Sequence, residues 1–349
     1  SLLLTALLLA AGPGWGQINF ELLQVPGNIE WAGFSLSRDG TDMGCVLDGS
    51  VYWWSQPEGF RFLDAGTPRP MGVGMAADGG ALVAAKATGA GSVASIWYAD
   101  GTSIMLDPLL KGCPDEGPTA CGFDLSADGS VAVGMTANCD AHLGFSWHRK
   151  NGLVQLDSPR GSDGEGVAVS ADGNRIVGFT DQPHSGEPCP TLWRSGQAPE
   201  YPLGTTTVGK ALNISLNGLY IVGQASLGQP GQQAFVWTRE EGHLALGNLS
   251  GLATDPSRAS AVSDHGIVVG WSGDELFGDQ EAFVWTRDSG LRSLAAILLE
   301  NGANLPDGLT LTGVLDISGD SSTLVGTCRD RDFQQGYWRV NLDDPSDLG

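Results

Sequence analysis

Chemistry needs side chains of the right type at the right spacing, and this sequence offers few such sets. Its five histidines, His142, His148, His184, His243 and His265, never fall at the His-x-x-x-His or His-Glu-x-x-His spacing that sets two zinc ligands on one helix face. The six cysteines contain no Cys-x-x-Cys, and no Gly-x-Ser-x-Gly nucleophile elbow occurs. Gly72-Val-Gly74-Met-Ala-Ala77 mimics a dinucleotide-binding fingerprint, but no helix follows it to receive the phosphates. Asp274, Asp279 and Glu281, and again Asp330 and Asp332, lie in irregular stretches where carboxylates could gather a hard cation. Calcium is the ion they would suit, although no EF-hand spacing is present. The reading is therefore no assigned catalytic residue, no metal ligand set and no cofactor, with calcium as the one candidate.

Whatever positions these residues is built mostly of turns and short apolar segments. The 349 residues include 52 Gly and 18 Pro without a three-residue period, which marks frequent tight turns. Acidic residues outnumber basic ones 40 to 18, a net charge of −22. Such a surface repels nucleic-acid backbones and anionic lipid, so neither nucleic acid nor a membrane surface is an expected partner. Leu2 to Ala11 is an apolar run of signal-peptide length, too short to span a bilayer, and Gly14-Trp-Gly16 supplies the small residues of a cleavage site. Residues 1–16 thus read as a secretion signal clipped at its start, and the mature protein as extracellular. That compartment permits disulfides, and Cys113 with Cys121, flanking a short loop, is the expected pair.

Self-similarity dominates the rest. A unit read over Ala259–Leu294 carries Ser-Asp-His-Gly, Val-Val-Gly270, Ala-Phe-Val-Trp285-Thr and a closing Gly290-Leu-x-x-Leu. The turn motif recurs at Ser37, Ala76, Ser126, Ser170, Ser215 and Ser318, and the tryptophan at Trp54, Trp97, Trp147, Trp193, Trp237 and Trp338. Each unit reads as four antiparallel strands, with Asp-Gly or Asn-Gly as a two-residue hairpin turn. Such a unit buries its faces only against neighbours, which is the logic of a propeller blade. The expected fold is all-β: a seven-bladed propeller over residues 17–342, with units at about 28–66, 67–110, 111–161, 162–204, 205–253, 254–306 and 307–342. The last unit lacks its fourth strand, and Phe20–Val25 is an orphan strand suited to supply it, so 18–27 should complete the last blade. Residues 343–349 read as a polar tail or linker.

The order Ser-x-Asp-Gly, Val-Val-Gly, Ala-Phe-Val-Trp-Thr resembles the HAF repeat family of extracellular proteins, over about residues 31–342. Gln233 and Glu281 stand where that family's namesake histidine would be. The resemblance implies a secreted bacterial protein, extracellular, at the bacterial cell surface or periplasmic, and carries over no catalytic residue.

In a four-stranded meander the first and third turns point to one rim, and the second loop and inter-blade link to the other. Here the second loops read as long and varied: 86–95, 136–144, 180–190, 224–233, 272–281 and 327–335. Variable loops on a rigid scaffold are where binding tends to sit. Trp271, Phe277 and Phe333 are the candidate aromatic contacts, with Asp181, Asp279, Arg329 and Asp330 as polar ones. The functional expectation is a non-enzymatic binding or scaffolding module for a glycan, protein or matrix partner, acting as a monomer or as part of a longer chain. The alternatives are an extracellular hydrolase or lyase at one mouth of the central channel, and a spacer domain of a longer surface protein.

Overall fold

The computed structural model describes residues 18–27, 32–56, 58–65, 72–89, 91–110, 119–138, 140–159, 163–182, 185–274 and 278–349. The signal-like segment, Cys113 and Phe277 lie outside them. The fold is a β-propeller of four-stranded antiparallel blades: five clear blades and one larger mixed sheet. Unit one forms the sheet Ala32–Leu36, Asp42–Leu47, Ser50–Ser55, Gly59–Asp64. Units two and three share an eight-stranded sheet, in which two meanders meet through the single parallel pair Thr119 and Ser92. Units four, five and six follow, the fourth strand of unit four reduced to a bridge between Leu192 and Glu200. Unit seven, Thr310–Ile317, Thr323–Arg329 and Gln335–Asn341, takes its fourth strand from Asn19–Leu22, in register from Asn19 opposite Asn341 to Leu22 opposite Trp338. The expected closing strand is therefore in place.

The apolar clusters lie between units rather than within them, as a sheet that cannot bury itself requires. Each repeated tryptophan plugs the junction with the preceding unit. Trp193 packs with Val131 and Val133 of unit three, Trp54 with Val325 and Tyr337 of unit seven, and Trp338, with none of its surface exposed, with Leu294 and Leu311.

The turn motif closes the circle. Ser37 Oγ donates to Asp39 Oδ1 (2.9 Å) and accepts from Asp42 N (3.1 Å), and Ser126, Ser170, Ser215 and Ser318 repeat both bonds in their own turns. Only the residue at the glycine place is left-handed (Gly40, φ 66°, and Ser321, φ 66°, in the last turn), and Gly40 N bonds Ser37 O. The expected two-residue hairpin is thus corrected to a longer turn, because the serine and aspartate side chains tie off the extra backbone groups. Successive turns are linked to one another. Arg38 N donates to Ala77 O, Asp78 N to Ala127 O, Ala127 N to Ala171 O, Ala171 N to Leu216 O, Asn217 N to Asp264 Oδ1, Asp264 N to Gly319 O, and Asp320 N back to Arg38 O.

The Val-Gly glycine has a different cause. The first strand bulges between Gly122 and Asp124, Gly166 and Ala168, Ala211 and Asn213, Ala259 and Ala261, and Val314 and Asp316. The bulge drives a carbonyl of that strand into the second strand, so a Cβ at Gly134, Gly178, Gly223, Gly270 or Gly326 would land on the oxygen of Cys121, Glu165, Lys210, Arg258 or Gly313. Unit two pairs Gly74 with Val83 and Met75 with Leu82 without a bulge, and carries Ala84 at the equivalent place.

Two features depart from the repeat. Residues Leu294–Glu300, following the last strand of unit six, form a helix N-capped by Ser293, which packs Leu294, Ile297 and Leu298 into the junction with unit seven. Residues 343–349, read as a polar tail, instead form a 3-10 turn at Pro345–Leu348 whose Leu348 is completely buried against that helix. Among the described residues no helix is long and apolar enough to cross a membrane. Cys121 is a buried free thiol whose Sγ faces Gly72 O.

Arg339 seals the closing junction. Its buried guanidinium pairs with Glu21 of the N-terminal strand (3.3 Å), donates to Gly40 O (2.9 Å) and lies 4.7 Å from the Trp54 ring centroid. Arg339→Met keeps the stem and removes all three contacts. It is expected to cost about 2 kcal/mol, since a charged hydrogen bond and a desolvated cation–π contact are lost together. Urea denaturation of the two proteins measures it.

Candidate functional site

The two rims differ in what their polar groups are free to do. On the first-turn rim the serine and aspartate side chains are spent on the turns described above. On the second-loop rim the first strands, which pack side by side round the axis, begin with residues that change from unit to unit. Five places before the turn residue stand Ala32, Cys121, Glu165, Lys210, Arg258 and Gly313. Glu165, Lys210 and Arg258, in three successive units, were not singled out from the sequence. Their signal was a charged residue recurring at one repeat position, visible only once the turns are aligned.

Lys210 Nζ lies 3.9 Å from the ring centroid of Phe179, which is paired across the sheet with Glu165. Burial pushes the Glu165 carboxyl up, and Asp181 adds to this, while Lys210 and His142 oppose it. Asp181 is pushed up by burial and by Asp163, again opposed by Lys210 and His142. Asp163 Oδ1 also accepts from His142 N (3.1 Å). The result is a pair of acids that hold protons more readily than ordinary carboxyls, beside a cation. It is an arrangement suited to hydrogen bonding and to proton exchange.

The other predicted residues fall elsewhere. Asp279, Arg329, Asp330 and Phe333 form a second group on units six and seven. Arg329 Nη2 donates to Gly278 O, and its guanidinium lies 6.0 Å from the Phe333 ring. Phe333 is 77% exposed and holds a left-handed backbone (φ 59°) that disfavours a bulky residue. Asp330 fixes this conformation by accepting from Asp332 N and Gln334 N, both at 2.9 Å. Asp279 Oδ1 accepts from Asp274 N (2.6 Å). Trp271 is not a loop residue. It sits within the strand Val268–Ser272, half-buried, with its Cβ 3.5 Å from where a side chain on Gly313 would begin. Asp181 and Arg329 likewise end strands, because the strands continue further than their sequence suggested. The strands correspondingly stop at Ala137, Asp181, Ala225, Ser272 and Arg329 and resume at His142, Pro188, Gln233, Glu281 and Gln335, and in unit two Ala81–Thr88 pairs directly with Gly91–Tyr98. Among the described residues no three His, Cys, Asp or Glu side chains come together as a metal-holding group.

Deeper on the axis, two places before the turn residue, alternate units carry a polar side chain that reaches the next unit. Ser35 Oγ accepts from Met75 N (3.0 Å), Asp124 Oδ2 from Val169 N (2.8 Å), Asn213 Oδ1 from Val262 N (3.2 Å) and Asp316 Oδ2 from Leu36 N (2.8 Å). Units two, four and six have Gly74, Ala168 and Ala261 there. Asp124 and Asp316 also accept from their own following amides, Leu125 N and Ile317 N, at 2.8 Å. Solvent touches both carboxyls only partly, and protein atoms enclose them. That burial pushes each up to about 7 in spite of the amide donors, and Asp316 adds repulsion at Asp124.

No family model and no curated protein matches the chain. Solved structures do match. An oligogalacturonate lyase in complex with manganese is 13% identical with a TM-score of 0.60, covering 95% of this chain and 92% of that one. The β-propeller domain of the trilobed protease from Pyrococcus furiosus, with an open velcro topology, is 10% identical with a TM-score of 0.58, covering 95% of this chain and 100% of that one. The tricorn protease is 11% identical with a TM-score of 0.56, covering 96% of this chain but only 36% of its own. Identities this low speak to architecture alone. What the chain shares with these proteins is the β-propeller fold.

Proposed function

We propose that this is a secreted seven-bladed propeller of the HAF repeat kind that binds an extracellular glycan, protein or matrix partner through its second-loop rim. The eight-stranded sheet counts as two blades, and the seven linked turns support that count. One observation carries the choice of rim. The serine and aspartate side chains of the first turns repeat and are consumed there, whereas the strand-start side chains on the opposite side differ from unit to unit. Phe333 is the anchor: an aromatic held in water and in a strained backbone by its own loop is pre-ordered for contact. The test is retention of the full chain on a glycan array and on immobilised matrix proteins. Phe333→Ala is expected to weaken the retained partner at least about tenfold, the loss of a contact worth roughly 1.4 kcal/mol. Asn174→Ala, on the other rim, should leave it unchanged. Equal retention by wild type and F333A would remove the rim from consideration.

The hydrolase or lyase reading has one observation in its favour, the Glu165 and Asp181 carboxyls raised beside Lys210. Oligosaccharide cleavage that Glu165→Gln abolishes would establish it in place of simple binding.

A further inference from the structure

A cavity lies on the opposite rim, in the junction between units five and six, with a volume of about 640 Å³. This is the size of small-ligand pockets. Its aromatic lining is Trp285, 8% exposed, and the half-buried Tyr220. Tyr220 lies so close over Gly266 that a Cβ there would stand 2.8 Å from the ring. Leu244, 49% exposed, adds apolar surface. The lip carries hydrogen-bonding groups from both units, His243 and Glu241 on one side and Arg287 on the other, the last two joined as an ion pair. Pro345, Ser346 and Gly349 contribute a third wall, held by the buried Leu348 and by the Asn301 Nδ2 bond to Asp347 O (3.0 Å). No other junction receives this turn.

We infer that this cleft is a second binding site, for a neutral sugar ring. Glu241 and Arg287 neutralise each other, and Asp288, the other carboxylate of the lining, repels anions, so an acidic ligand finds no counter-ion. A ring with an apolar face and a hydroxylated edge matches aromatic surface bordered by donors and acceptors on both sides. A peptide side chain would leave those polar groups without new partners. Because the walls are packed in advance, little ordering opposes binding.

The test titrates the full chain with cellobiose, maltose, lactose and diacetylchitobiose, and with digalacturonate as the charged comparison, by saturation-transfer NMR and calorimetry. Leu244→Arg blocks the cleft from an exposed position and His243→Ala removes a lip donor; unchanged melting temperatures confirm that both variants fold. At least one neutral disaccharide is expected to bind, L244R to weaken it about tenfold or more, and F333A to leave it unaltered. Binding of digalacturonate alone, wild-type affinity in L244R, or no binding of any neutral sugar overturns the inference. Loss in F333A but not in L244R would assign the sugar to the second-loop rim instead.

Discussion

Gly270→Ala is expected to destabilise the protein by about 3 kcal/mol, at the upper end of what overpacking costs. The new Cβ would fall on the carbonyl oxygen of Arg258, and backbone cannot swing aside as a side chain can. Relief requires unmaking the bulge between Ala259 and Ala261, which would displace Ala261 and Val262 from the junctions they fill. Gly44→Ala provides the comparison within the same molecule. The first strand of unit one pairs with the second without a bulge, and the nearest atom to a Cβ at Gly44 is Val73 Cγ2 at 3.0 Å, a side chain that can yield. That variant should lose about 1 kcal/mol or less. Denaturant midpoints of the two variants measure the difference, and equal losses would show that the bulged carbonyls do not dictate the glycine.

The second large effect is a dependence of stability on pH set by Asp124 and Asp316. Unfolded, each carboxyl titrates near 3.8; folded, burial raises it to about 7. The native state therefore holds the proton more tightly than the unfolded chain. The contribution is fully present below about pH 4, declines as pH rises towards 7, and is gone above it. At 1.36 kcal/mol per pH unit this window amounts to roughly 4 kcal/mol for each carboxyl, taken singly. Asp316→Asn with Asp124→Asn should flatten the decline between pH 4 and 7. The asparagines should keep the inter-unit bond, because Asn213 Oδ1 makes the same contact to Val262 N. Urea midpoints across that range, wild type against the double variant, are the measurement. A double variant whose stability falls as steeply as wild type would place the dependence on other groups.

The repeated architecture was legible because each of its signals has one local cause. The tryptophan fills a junction, the serine and aspartate tie a turn, and the missing last strand left Phe20 and its neighbours without another place to go. The bulges were not legible as such, though the Val-Gly glycines were their imprint. A run such as Leu294–Glu300 broke the repeat silently, since an apolar segment after Ser293 continues a strand as readily as it starts a helix. Site residues were harder. Asp181 and Arg329 read as loop because polar residues near glycine resemble turns, yet cross-strand pairing carries both strands to those residues. The rim charges Glu165, Lys210 and Arg258, and the axial Asp124 and Asp316, acquire meaning only from the unit next door. No window of contiguous sequence contains that neighbour.

Asn19–Leu22 leaves the ribosome early, while Trp338–Asn341, with which it pairs, is made some 318 residues later, the separation of Glu21 and Arg339. At ordinary elongation rates that interval is on the order of tens of seconds. Throughout it the first segment has no partner and the growing stack presents bare strand edges at both ends. Assembly must then finish in one event, when the final hairpin captures the waiting N-terminal strand. Loss of Asn19–Leu22 or of Gln335–Asn341 would thus injure the same sheet, and a chain halted just short of Trp338 would be left as an open arc with sticky ends.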